Sequence, residues 1–206
     1  MKSRFLFLVT TIIMISCHKE KNKIKPDDIL FSNLSSPILA STVRDWSFEN
    51  HGVCSVDIPI PADSSNTILL DINNDSDYDF KITLSHNYWE PTQYCGHCSV
   101  YNYDIKINGI NSSNSIAFNN QSFKTKYFNN SDKISSENSW KNQAILTMKG
   151  GCMRPTFDIE GEYIGFKHND QIGWIKIQQL ANNGILVENY AINLTDKKSI
   201  IAGQKD

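Results

Sequence analysis

Short segments in which apolar and polar residues alternate, each bounded by turn formers, recur along this chain and favour a β-sheet architecture. Two of them face each other in Tyr163-Ile164-Gly165-Phe166-Lys167 and Gly173-Trp174-Ile175-Lys176-Ile177, across the polar loop His168-Asn169-Asp170-Gln171. A period of two sends alternate side chains to opposite faces of an extended strand. The pair therefore predicts a hairpin, with Trp174, Ile164 and Phe166 filling the core from it. Asn182-Asn183-Gly184 then leads into residues 185–192, which makes a third strand and a meander.

Further strand-like runs are residues 53–60, held to an edge by Pro59 and Pro61, then 67–71, 80–85, 101–107 and 144–148. Asn108-Gly109 reads as a turn closing the run before it. Residues 136–146 come nearest to a helical period without sustaining it for three turns. The Asn/Ser-rich stretch 111–138 reads as long loop, interrupted by strand-like residues 123–128. The expected fold is all-β, an antiparallel, jelly-roll-like β-sandwich with long Asn/Ser-rich loops.

The first residues speak of address. Met1-Lys2-Ser3-Arg4 is basic, Phe5 to Ile15 is apolar, and Ser16 places a small residue before Cys17. This is the layout of a secretory signal, too short for a membrane-spanning helix. Its end on cysteine resembles a bacterial lipoprotein signal, with Met14 where such signals usually carry Leu. That resemblance implies cleavage after residue 16, lipid on Cys17 and attachment to a membrane of the cell envelope. Residues 17–28, charged and carrying Pro26, then read as a flexible tether, and residues 29–206 as one domain.

The formal charge is −2 over 206 residues. Losing Lys2 and Arg4 with the signal leaves 18 basic against 22 acidic residues, near −4. With the charges also scattered, there is no electrostatic footprint for nucleic acid. Assigning Cys17 to lipid leaves Cys54, Cys95, Cys98 and Cys152, an even set that suits disulfides in an exported chain. Three connectivities stay open. Cys95-Gly96-His97-Cys98 also resembles the active site of thioredoxin-like disulfide isomerases. Here Tyr94 replaces the usual Trp, and a strand-like run follows in place of the activating helix. Zinc held by this pair with Cys54, Cys152 or His97 is a further reading, with only half the usual ligand spacing.

The sharpest local pattern is Asp71-Ile72-Asn73-Asn74-Asp75-Ser76-Asp77-Tyr78-Asp79. Oxygen-bearing side chains at Asp71, Asn73, Asp75, Asp77 and Asp79 resemble the start of a calcium loop, since calcium takes six to eight oxygen ligands. Ser76 stands where such loops carry glycine, and Thr83 where they carry their last Glu. The competing reading is an Asx-rich turn whose side chains cap the backbone. Asp158, Glu160 and Glu162 alternate in a way that could serve a glycan hydrolase, or lie along a solvated edge. Tyr88, Trp89 and Tyr94 could stack on sugar rings or plug one end of the sandwich.

Tyr163-Ile164-Gly165-Phe166-Lys167, Gly173-Trp174-Ile175-Lys176, Glu188-Asn189-Tyr190-Ala191 and Ile200-Ile201-Ala202-Gly203-Gln204 occur in that order. The succession resembles the end of exported β-sandwich lipoproteins of the Bacteroidota type. It implies a sandwich in an exported setting and carries over no catalytic residues. The expected function is a non-catalytic envelope or surface lipoprotein, a binding or structural module for a glycan or an envelope protein, with a structural calcium as its possible ion. The rival is an envelope enzyme, either a glycan hydrolase or a thiol-disulfide oxidoreductase using Cys95 and Cys98.

Overall fold

The computed structural model describes residues 28–34, 38–39, 65–88, 101–120, 124–150, 157–180, 184–195 and 198–206. The signal, the tether as far as residue 27, all five cysteines, residues 53–60 and the aromatics Trp89 and Tyr94 lie outside them. The strands are β1 (Ile29–Asn33), β2 (Ile38–Leu39), β3 (Ser65–Leu70), β4 (Phe80–Tyr88), β5 (Tyr101–Gly109), β6 (Asn114–Asn119), β7 (Lys124–Thr125) and β8 (Tyr127–Phe128). They continue as β9 (Lys133–Ser135), β10 (Ser139–Lys141), β11 (Gln143–Gly150), β12 (Tyr163–His168), β13 (Gln171–Gln179), β14 (Ile185–Asn193) and β15 (Ser199–Ile201). Among the described residues there is no α-helix.

One curled sheet runs in the order β1-β14-β13-β12-β6-β7-β11-β5-β4-β3, and β9 pairs with β15 in a separate two-stranded sheet. The all-β expectation therefore holds, with a sandwich-like core formed by one sheet curling over itself. Inside the curl, Ile68, Leu70, Phe80, Ile82, Leu84, Ile105 and Ile107 of the β3-β4-β5 meander meet Ile116, Ile164, Phe166, Ile175 and Ile177 of the opposite half.

A second core lies on the other face of β12, β13 and β14. Trp174 packs there with Ala117, Phe128, Ile134, Tyr163, Ile172, Ala191, Ile200 and Ala202. The predicted hairpin forms, with a tighter turn in which only Asn169 and Asp170 lie between the strands. Asn169 takes φ 53°, the left-handed conformation required of the first central residue of such a turn. Trp174, however, does not share a core with Ile164 and Phe166. The register pairs Gly165 with Trp174 and Phe166 with Gly173, so each ring faces a glycine, one pair on each side of the sheet. A Cβ on Gly173 would lie 2.1 Å from Phe166 Cζ and 2.4 Å from the Ala191 carbonyl oxygen. On Gly165 it would meet Ile134 Cγ2 at 2.9 Å.

Strand β14 keeps its apolar residues inward through a bulge. Its partners on β13 shift between Lys176 and Ile177, leaving Glu188 as the extra residue. Ile185 and Val187 before it, and Tyr190 and Ile192 after it, therefore all reach the inner core.

Three local expectations change. Asn108-Gly109 ends strand β5 instead of turning. Gly109 suits a close approach, because the Asn142 amide and Asn114 occupy the space a side chain would need. Residues 136–146 form a turn, β10 and β11, because Trp140 pairs against Ala117 of β6. The stretch 111–138 is not a long loop but carries β6 to β9, whose Ile116, Ala117, Phe128 and Ile134 are core residues flanked by Asn and Ser.

Replacing Gly173 with Ala should cost about 1–3 kcal/mol through overpacking. The loss should appear as a lower denaturation midpoint with an unchanged slope; a wild-type midpoint would mean that Phe166 does not lie over this glycine.

Candidate functional site

The 71–79 loop joins β3 to β4 and is folded by its own side chains. Asp71 accepts the Asp75 and Ser76 N–H groups at 3.2 and 2.8 Å. Asn73 Oδ1 accepts the Asp75 N–H at 3.1 Å, and its amide donates to Asp75 Oδ2 at 2.8 Å. Asp75 Oδ1 takes the Asp77 N–H at 2.8 Å. Each short polar side chain thus satisfies backbone groups a few residues ahead, the Asx-turn chemistry of such sequences. Asn74 and Ser76 adopt φ 59° and 76°. Ser76 therefore takes the left-handed conformation for which calcium loops use glycine.

The Asp77 N–H, and then the Asn73 amide, hold the Asp75 carboxyl below its usual range. Whatever this contributes is present above the ordinary carboxyl value and is lost as pH falls through the lowered one.

Asp79 faces the other way. It is 3% exposed, and its Oδ2 accepts the N–H of the fully buried Ile72 at 2.9 Å. Its Oδ1 lies 3.0 Å from His168 Nδ1. The Asp79 carbonyl accepts the Ile110 N–H and the Asn114 amide, each at 2.8 Å. That second bond fixes the Asn114 amide so that its Oδ1 faces His168 Nδ1 at 3.0 Å. Nδ1 faces two acceptors and therefore carries a proton, shared between Asp79 and Asn114. Nε2 faces the amides of Asn169 at 3.0 Å and Asn73 at 3.4 Å. From β14, the Tyr190 hydroxyl donates to the Asp71 carbonyl at 2.5 Å.

These bonds tie the loop to β6, the β12–β13 turn and β14, which are distant in sequence. Buried polar groups are costly unless satisfied, so the knot holds the loop in one place. Above it Tyr78 is 53% exposed, and Ile110, hydrogen-bonded to Asp79 through its backbone, is 48% exposed.

Of the five predicted metal ligands, Asp71, Asn73 and Asp75 are bonded to one another's backbone or side chains, Asp77 is exposed, and Asp79 is committed to the interior. Among the described residues, no three His, Cys, Asp or Glu side chains form a group that could hold a metal ion. Asp158, Glu160 and Glu162 are exposed ahead of β12. Glu160 pairs with Lys124 at 3.2 Å, and Ile159 between them packs on the inner core. His86, Asn87 and Tyr88 form the last residues of β4. Sequence reasoning missed Asn114, His168 and Tyr190. The parity of β12 was a signal for one of them, since Ile164 and Phe166 point inward and His168 continues the same face.

Substituting Asp79 with Ala should cost about 3 kcal/mol, because Ile72 N–H and His168 lose a buried acceptor. Asp79→Asn should cost less, and Glu160→Gln, at an exposed pair, less than about 1 kcal/mol. Equal effects of Asp79→Ala and Glu160→Gln on the denaturation midpoint would show that the knot is not the loop's anchor. The chain matches no family model, no curated protein and no solved structure in the comparisons made.

Proposed function

We propose that this chain is a non-catalytic, exported and lipid-anchored envelope module that contacts a glycan or an envelope protein through the 71–79 end of its β-sandwich. The observation that carries the reading is the rigid seating of an exposed loop. The Asp79–His168–Asn114 knot holds its backbone, while Tyr78 and Ile110 stand outward at 53% and 48% exposure. Loops fixed on a rigid scaffold are where binding residues concentrate, and exposed aromatics are the usual anchors of such contacts. The signal-like residues 1–17 support export and lipid on Cys17, which leaves Cys54, Cys95, Cys98 and Cys152 for disulfides. The Bacteroidota-type C-terminal pattern supports the same setting.

A photo-crosslinking residue placed at Tyr78 in cells tests this reading. It should capture envelope material that the same residue at the exposed Ile201, in the separate β9–β15 sheet, does not. Equal capture from both positions would remove the loop end as the contact surface. Glycan hydrolysis abolished by Glu160→Gln would move the chain into the rival class of envelope enzymes.

The left-handed Ser76 supports a second role for the same loop, that of holding a structural calcium ion. Asp71, Asn73, Asp75 and Asp77 would supply oxygens, while Asp79 stays with Ile72 and His168. Millimolar calcium should then raise the melting temperature, and a chelator should reverse the rise. A melting temperature indifferent to both would leave the loop as a ladder of Asx turns.

A further inference from the structure

We propose that the pole bearing the 71–79 loop faces the anchoring membrane and sits on its headgroup layer through Tyr78, Ile110 and Leu194, over uncharged or zwitterionic lipids. This docking rests on the lipid anchor proposed above and deepens that reading. The glycan or envelope protein met by the loop end is then one held at the same membrane surface.

Strand registers gather the elements of this pole. The start of β1 lies beside the end of β14, where Ile29 pairs with Asn193. His168, which ends β12, pairs with Gln171 at the start of β13 and with Asn114 at the start of β6. Phe80, which opens β4, pairs with Leu70 at the end of β3 and with Gly109 at the end of β5. Hydrogen bonds then cross the pole from side to side. The Asp28 carbonyl accepts the Leu194 N–H at 2.8 Å, and the Leu194 carbonyl accepts the Gln171 amide at 3.2 Å. From that turn, the Asn169 and Asn73 amides meet at His168 Nε2. Asp79 links His168 to the Ile110 N–H.

The lipid would enter at the same pole. Residues 18–28 lead from Cys17 to Asp28 and reach about 36 Å at full extension. A body the size of residues 29–206 is roughly 40 Å across. The Asp28 pole is therefore held nearer the membrane than the opposite one, where β13 ends at Gln179.

The side chains exposed there suit a lipid surface. Of the five large exposed apolar side chains among the described residues, Tyr78, Ile110 and Leu194 stand at this pole, and Leu69 precedes the last residue of β3. Such a concentration marks a contact surface. Tyrosine suits the headgroup level, where its ring meets acyl chains and its hydroxyl meets water. Asp71, Asp75, Asp77 and Asp170 surround these residues with negative charge. An anionic surface would repel them within a Debye length, so the lipids beneath are neutral overall.

Reporter variants of the lipidated full chain test the proposal. Dansylalanine replaces Tyr78, Leu194 or Gln179 in turn, and each protein is reconstituted into phosphatidylcholine vesicles carrying a nitroxide on the headgroup. Emission from positions 78 and 194 should be mostly lost. Emission from position 179, exposed about 26 Å along β13 from the pole, should be kept. Phosphatidylglycerol mixed into the vesicles should restore part of the lost emission. Emission kept at both 78 and 194, equal loss at all three positions, or a deeper loss with phosphatidylglycerol would overturn the docking. The mass of the chain isolated from cells separates this from the anchor. With acyl chains on Cys17, those results overturn the docking alone; without them, the lipid-anchored reading falls and the docking with it. Two reporters at separate exposed residues keep the outcome independent of one misfolded variant.

Discussion

The β12–β13 hairpin is the element on which the rest of the molecule rests, because it is buried on both faces. An ordinary antiparallel sheet packs one face on a core and leaves the other to water. Here Ile164, Phe166, Ile175 and Ile177 serve the inner core, while Tyr163, Ile172 and Trp174 serve the second. Two large rings on adjacent strands would crowd their neighbours if every partner carried a side chain. Gly173 under Phe166 removes that conflict on the inner side, and Gly165 leaves room on the other side for Ile134, Phe128 and Ala117. The second core then needs a cover, which β9, β15 and the C-terminal residues provide. Trp174 donates its indole N–H to the Gln204 carbonyl at 3.1 Å, so the last residues seal the ring while satisfying its one polar atom.

The same hairpin also organises the loop end. His168 is the last residue of β12 and shares the inward parity of Ile164 and Phe166, but it meets Asp79 and Asn114 in place of apolar neighbours. A polar knot at the end of an apolar core gives less stability than apolar packing could, and it gives position instead. Both oxygens of Asp79 and both ring nitrogens of His168 face hydrogen-bonding partners. The loop above it can therefore be rich in Asp, Asn and Ser and still be held in one conformation.

The polar residues of this chain fall into two uses. Some close on themselves, as in the ladder of Asp71, Asn73 and Asp75 or the three carbonyls gathered by Asn142. Others present charge outward over aromatic rings, as Lys124, Lys126, Lys141 and Lys167 do over Phe157, Phe128, Phe118 and Trp140. The first kind shapes the loops and the second gives the outer surface its cations. The net negative charge of the chain conceals both, because a sum over residues carries no positions.

Alternation determined the β class and a handful of the strands, because a period of two is a local property of consecutive residues. It was clear in β4, β5, β12 and β13. It blurred where Glu188 makes a bulge in β14, since an extra residue breaks the period while the core face is kept. It failed in β6, where Ile116, Ala117 and Phe118 are all buried and no alternation remains to be read. The acidic loop was visible as a pattern, and so was its Asx-turn alternative. Which face Trp174 joins, which way Asp79 turns and what His168 touches were decided only by the tertiary structure. Those outcomes depend on residues 30 to 95 positions apart, brought together when the sheet curls, and no local pattern encodes that distance.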